Sequence, residues 1–296
     1  MTARTQRFAL LPVLIGAFLA FAMPVPQATA QSNDDCMDCH DDPEETKNEN
    51  GEVISLFVDI DMYQLSIHGQ QELECIDCHM DLAGFDDFPH DEELEAVSCT
   101  ECHDDVGEIY DASMHGQAFA SGNPLAPACW DCHGYHNVLP PSDHKSKINV
   151  FNVPKTCGGC HREGAPVGQG ATAIQDSVLA HYSQSIHGRG LNEKGLITTA
   201  VCTSCHTGHN VRNHTDPEST IHRDNVADTC RQCHGLIEEV HQKVIQGELW
   251  ETEPDKVPVC IECHQPHEIR KVFYNQGMSD RECMVCHEDH NLKATS

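Results

Sequence analysis

The chain is short of the usual materials of a protein interior. Aromatic residues fill 5 % of its 296 positions and hydrophobic residues 39 %, thin stock for a conventional core. Basic residues are scarce: 18 Lys+Arg stand against 47 Asp+Glu, a net charge of -29. That balance excludes nucleic acid as a partner, because phosphate binding needs a basic stripe. Past residue 30 no stretch is apolar enough to span a bilayer. The length suits one or two domains, so the missing interior must come from something the chain binds. What it has in quantity is 18 Cys and 22 His.

Residues 1–30 read as a secretory signal peptide. Arg4 and Arg7 form the positive start, Phe8 to Ala22 the apolar run, and Ala28-Thr29-Ala30 the small-residue cleavage site. The expected mature chain begins at Gln31 and is soluble and exported, to the periplasm or the cell surface.

Every cysteine belongs to a Cys-x-x-Cys-His motif. The nine pairs are Cys36 and Cys39, Cys75 and Cys78, Cys99 and Cys102, Cys129 and Cys132, Cys157 and Cys160, Cys202 and Cys205, Cys230 and Cys233, Cys260 and Cys263, and Cys283 and Cys286. The histidines that follow are His40, His79, His103, His133, His161, His206, His234, His264 and His287. This is the spacing of c-type haem attachment. Two thiols three residues apart form thioethers with the two vinyl groups of one haem. The adjacent imidazole meets the iron from one face, and a short helical turn brings the three groups together. Disulfides are the rival for an exported, cysteine-rich chain, and zinc is another. Neither asks for a histidine after every second cysteine. At the histidine content of this chain, nine such coincidences have odds on the order of one in ten billion. Nine covalently bound haems c are expected.

Nine proximal histidines leave thirteen others as candidate second ligands. Four stand three residues after a proximal histidine: His136, His209, His267 and His290. Three stand in Ser-x-His-Gly segments: His68, His115 and His187. An internal repeat sorts the rest. Residues 129–161 align without a gap on 202–234 at an offset of 73. There His144 faces Pro217, His214 faces Pro141 and His222 faces Asn149, so none of these three is expected to be a ligand. His181 has no counterpart in the other Ser-x-His-Gly segments. His90 is the sole candidate between Cys78 and Cys99, and His241 precedes Cys260 much as His115 and His187 precede their motifs. Adding both gives nine candidates for nine irons. Which serves which haem stays open. Met62, Met80, Met114 and Met278 are read as packing residues.

The chain resembles bacterial multihaem c-type cytochromes through these nine motifs, the Cys-x-x-Cys-His-x-x-His segments and the Ser-x-His-Gly segments, over residues 36–290. The resemblance implies haems in close contact that pass electrons along a chain, with distal ligands often drawn from a neighbouring segment. It implies an electron-transfer protein in anaerobic respiration or extracellular electron transfer, with redox proteins as partners, among them a membrane quinol-oxidising cytochrome. One rival is a multihaem reductase of nitrogen or sulfur species with one open iron position. Known nitrite reductases of this kind carry a Lys in place of one proximal His, and all nine motifs here end in His. The other rival is a subunit of a polymeric cytochrome filament.

The expected fold is haem-cored and mostly irregular, with short α-helices at the motifs and little or no β-sheet. Longer helices are expected over Ile174–Gln184 and Leu236–Glu248. The expected parts are an N-terminal three-haem part (31–107), two related two-haem units (108–180 and 181–235) and a C-terminal two-haem part (236–296). Charge is uneven. Residues 31–120 hold 26 acidic residues and one basic residue, Lys47, while 121–296 hold 21 acidic and 15 basic. The acidic N-terminal part is expected to dock a basic redox partner.

Overall fold

The computed structural model describes residues 32–49, 51–85, 89–90, 94–165, 167, 177–244 and 259–269. The expected signal segment and the residues Cys283, Cys286, His287 and His290 lie outside them, as do the side chains of His241 and Cys263.

The architecture is mostly irregular, with short helices and one small hairpin. The hairpin pairs β1 (Thr46–Glu49) with β2 (Glu52–Ser55), antiparallel. Attachment motifs sit on short helices: α1 (Asn33–His40), α4 (Cys75–Cys78), α7 (Cys129–His133), α11 (Cys202–His206) and α13 (Cys260–Cys263). The sequence closes these turns locally. In α4 and α7 the residue before the second cysteine reaches back to the N-cap backbone: Glu74 N donates to Asp77 Oδ2 at 2.7 Å and Ala128 N to Asp131 Oδ2 at 2.7 Å. In α11 the hydroxyl of Ser204 accepts from Val201 N at 3.1 Å. Each satisfies an amide that a helix start leaves open.

Before three of these helices the chain makes the same corner. α2 (Ile60–Leu65) turns into α3 (Ile67–Gln70), α5 (Asp104–Asp111) into α6 (Met114–Ala120), and α9 (Val178–Gln184) into α10 (Ile186–Lys194). Ser66, Ser113 and Ser185 form the bends, at most 1 % exposed. Each is extended and caps the second helix, accepting from the amide of Gly69, Gly116 or Gly188 at 3.0–3.1 Å. Glycine is required there. A Cβ would come within 2.0–2.1 Å of the carbonyl oxygen of Tyr63, Tyr110 or Tyr182. This is why the segments read Ser-x-His-Gly.

The repeat found at an offset of 73 keeps its hydrogen bonds. Asn152 Nδ2 donates to the carbonyls of His144 and Ser146, and Asn225 Nδ2 to those of Pro217 and Ser219. Thr156 Oγ1 donates to Lys147 O at 2.7 Å, and Thr229 Oγ1 to Thr220 O at 2.6 Å. Gly134 follows His133 with φ +92°, and its counterpart Thr207 holds φ +65°, a strained choice for a branched residue.

One helix expectation shifts: the first begins at Val178 within the described residues. The second lies in α12 (Val226–Val244), where a break at His234 separates a half over the motif at Cys230 from a half that begins beside the expected start at Leu236; residues 245–248 lie outside the described residues. The described hydrophobic interior is small: Ala128, Leu139, Val153, Ala165, Tyr182, Leu191, Val201 and Val226. Its one cluster joins Val153, Leu191 and Val201 beside Cys157 and Cys202.

Candidate haem-binding row

The corners carry histidines toward distant motifs. Main-chain hydrogen bonds dock each corner on the segment after a Cys-x-x-Cys-His-x-x-His motif: Ile67 N on Val138 O at 2.8 Å, Met114 N on Val211 O at 2.8 Å, and Ile186 N on Ile269 O at 2.7 Å. Each bond crosses one or more of the part boundaries drawn from sequence.

Docking sets histidine rings opposite one another in pairs, three near parallel and four tilted by 37–51°. His40 lies opposite His90, His79 opposite His136, His103 opposite His68, and His133 opposite His209. His161 lies opposite His115, His206 opposite His267, and His234 opposite His187. Ring centroids are 5.8–6.4 Å apart. Each pair joins one proximal histidine to one candidate second ligand. A rule runs through them. The Ser-x-His-Gly histidine skips the next motif and faces the one after it. The histidine that closes Cys-x-x-Cys-His-x-x-His faces back two motifs.

The spacing fits a metal between two imidazoles. Nitrogen–metal bonds of about 2.0–2.1 Å on both sides, plus the ring radii, put the centroids about 6 Å apart. The gap is too wide for a hydrogen bond between the rings. His40 Nδ1 lies 2.8 Å from the Leu56 carbonyl. A proton on Nδ1 donated there leaves Nε2 free to ligate, the usual outer support of a metal-bound imidazole. Burial pushes the pKa values of His68, His79, His115, His133, His136, His161, His187 and His206 down, and that of His267 to about 4. These imidazoles are therefore neutral at pH 7, the form with a lone pair to give.

The thiols form a row in chain order. The first cysteines of consecutive motifs lie side by side in pairs: Cys36 with Cys75, Cys99 with Cys129, Cys157 with Cys202, and Cys230 with Cys260. At the alternate junctions Cys102 lies near Cys78, Cys157 and Cys160 near Cys132, and Cys233 near Cys205. Burial, with the neighbouring thiols, pushes Cys75 up to about 12 and Cys132 to about 11. Among the described residues no disulfide joins the cysteines from Cys36 to Cys260.

The histidines set aside by the repeat do other work. His144 is 86 % exposed beside Asp143, and its backbone carbonyl serves Asn152. His222 takes the turn role of its counterpart Asn149: its Nδ1 accepts from Asp224 N as Asn149 Oδ1 accepts from Phe151 N. His214 is exposed. His181 lies close enough to His267 to help lower its pKa.

Sequence reasoning missed three tyrosines. Tyr63, Tyr110 and Tyr182 stand five residues before His68, His115 and His187. That shared offset was the available signal.

A cytochrome c3 family model matches residues 67–162. The match supports a multihaem c-type cytochrome, with covalently bound haem c and electron transfer as its implied chemistry. Comparison with curated proteins and with solved structures gave no match.

Proposed function

We propose that the chain is an exported nonahaem cytochrome that carries electrons between redox partners in respiration. The observation that carries this reading is the seven proximal imidazoles, each faced by a second imidazole at 5.8–6.4 Å. A site that activates a substrate needs an open iron position, and these pairs leave none. Each haem is held by the two thiols of its motif and the adjacent histidine. The second ligands are His90, His136, His68, His209, His115, His267 and His187, for the motifs at Cys36 through Cys230 in turn. Continued by sequence, the skipping rule gives His241 to the motif at Cys283, and His290 is then the candidate left for the motif at Cys260. Haem iron supplies a one-electron ferrous–ferric couple. The protein holds the irons in order, excludes other ligands and sets the surrounding charge.

The thiol row supports passage in chain order, with the two chain ends as entry and exit. Chromatography-pure protein is expected to show nine haems by pyridine haemochrome and by mass, and no carbon monoxide binding once reduced. Binding at about one haem equivalent would move the reading to a reductase, and fewer than nine haems would overturn it.

The N-terminal part suits a basic partner. Its single basic residue, Lys47, is already paired with Glu49 at 2.9 Å. No helix among the described residues is long and apolar enough to cross a membrane. Raising ionic strength from about 0.05 to 0.5 M is expected to slow electron exchange with a basic redox protein by on the order of tenfold. Stopped-flow rates that ignore salt would remove the docking face.

A further inference from the structure

Each corner that delivers a second ligand is bolted to a neighbouring attachment helix by one side chain. Tyr63 Oη donates to Leu73 O at 2.6 Å, Tyr110 Oη to Pro127 O at 2.5 Å, and Tyr182 Oη to Ala200 O at 3.0 Å. The accepting carbonyls lie two residues before Cys75, Cys129 and Cys202. The same tyrosines frame the corner with their backbone. Their carbonyls accept from Ser66 N, Ser113 N and Ser185 N at 2.8–3.0 Å, and those same carbonyl oxygens exclude any side chain at Gly69, Gly116 and Gly188.

We propose that Tyr63, Tyr110 and Tyr182 are positioning residues, each fixing the second axial histidine of one haem relative to the attachment helix of the haem before it. The inference rests on the ligand pairs proposed above. Tyr63 ties the corner of His68, which faces His103, to the motif at Cys75. Tyr110 ties that of His115, which faces His161, to the motif at Cys129. Tyr182 ties that of His187, which faces His234, to the motif at Cys202. These are the junctions where first cysteines do not meet: Cys78 to Cys102, Cys132 to Cys157, and Cys205 to Cys233. The tyrosine struts and the thiol pairs thus alternate along the row. Burial pushes all three phenols up to about 12, so each keeps the proton it donates. Among the described residues one other tyrosine stands outside the pattern. Tyr135 is 66 % exposed and stacks on Trp130. Five residues before His241 stands Leu236, which has no hydroxyl to give.

The test is electron paramagnetic resonance of ferric holo-protein. Tyr110→Phe removes one oxygen and keeps the ring. It is expected to retain nine haems and to move about one ninth of the low-spin intensity. The signal that moves is the one that His115→Met also moves, and Tyr135→Phe moves none. Tyr63→Phe and Tyr182→Phe should each move a different ninth, the ones marked by His68→Met and His187→Met. An unmoved spectrum on fully loaded variants overturns the positioning role. So does a change spread over many haems, or haem loss, since either would assign the tyrosines to general stability. A wild-type protein short of nine haems would count against the proposed function instead.

Discussion

Made without haem attachment, the chain is expected to lose more than half of its helical ellipticity at 222 nm and to show no cooperative melt. The buried hydrophobic side chains among the described residues are few and mostly small: Ala128, Val153, Val201 and their like, with Leu191 the largest that is fully enclosed. Such an interior cannot offset the entropy of ordering a chain of this length. The helices cannot stand alone either. Most run to fewer than ten residues, well below the length at which isolated helices persist in water. Beyond a few docking and tyrosine hydrogen bonds, what joins them is the set of paired rings, which meet at a spacing that suits a metal between them. The behaviour should match that of small metal domains, where binding free energy is folding free energy. Circular dichroism and limited proteolysis of the apo-chain check this. A compact apo-protein with a sharp transition would show that the polypeptide has an interior of its own.

Replacing His209 by Met is expected to raise the potential of the haem attached at Cys129 by on the order of 100 mV, since a thioether ligand favours ferrous iron. His209 faces His133 at 5.8 Å with the rings 9° from parallel. It reaches there from a segment that itself belongs to the motif at Cys202. The variant should therefore change a haem whose own motif is untouched. A spectroelectrochemical titration would show about one ninth of the absorbance change moving upward. In a single-file row that haem becomes a trap. At about 59 mV per tenfold for one electron, escape from it slows roughly fifty-fold. His90→Met, at the first motif, should alter exchange with the partner at that end and leave the middle of the row alone. An unaltered titration for His209→Met would break the assignment. An unaltered end-to-end rate beside a shifted potential would mean that electrons bypass the fourth motif.

Local chemistry was legible in the sequence because haem attachment is a local event. Five consecutive residues carry both thiols and one ligand, and nothing distant is needed to recognise them. The candidate second ligands could be gathered by context, as at His136 or His115. The exclusion of His222 followed from its alignment with Asn149, whose turn it makes. Pairing was illegible, because the faced rings come from segments 35 to 76 residues apart and depend on which backbone amide docks where. Met114 N on Val211 O is the clearest case. No pattern around His115 says that it should pass over Cys129 and face His161. The tyrosines were legible in principle, through a constant offset, but that offset gains meaning only once Tyr110 is seen to reach Pro127. The helix from Leu236 was legible from its apolar run, whereas nothing in the sequence showed that the motif at Cys230 would itself be helical up to the break at His234.

Each docking bond from a serine corner spans three attachment motifs before it lands, and successive corners stand two motifs apart. Growth or shrinkage of such a chain is therefore tolerated in steps of two motifs. Removing one alone would leave a corner reaching for the wrong landing segment and shift the pairing of every ligand beyond it. A cassette running from one corner tyrosine to the next, such as 110–181, brings its own bend, brace and pair of motifs. Spliced in whole, it would lengthen the conductor while every existing partner kept its neighbour.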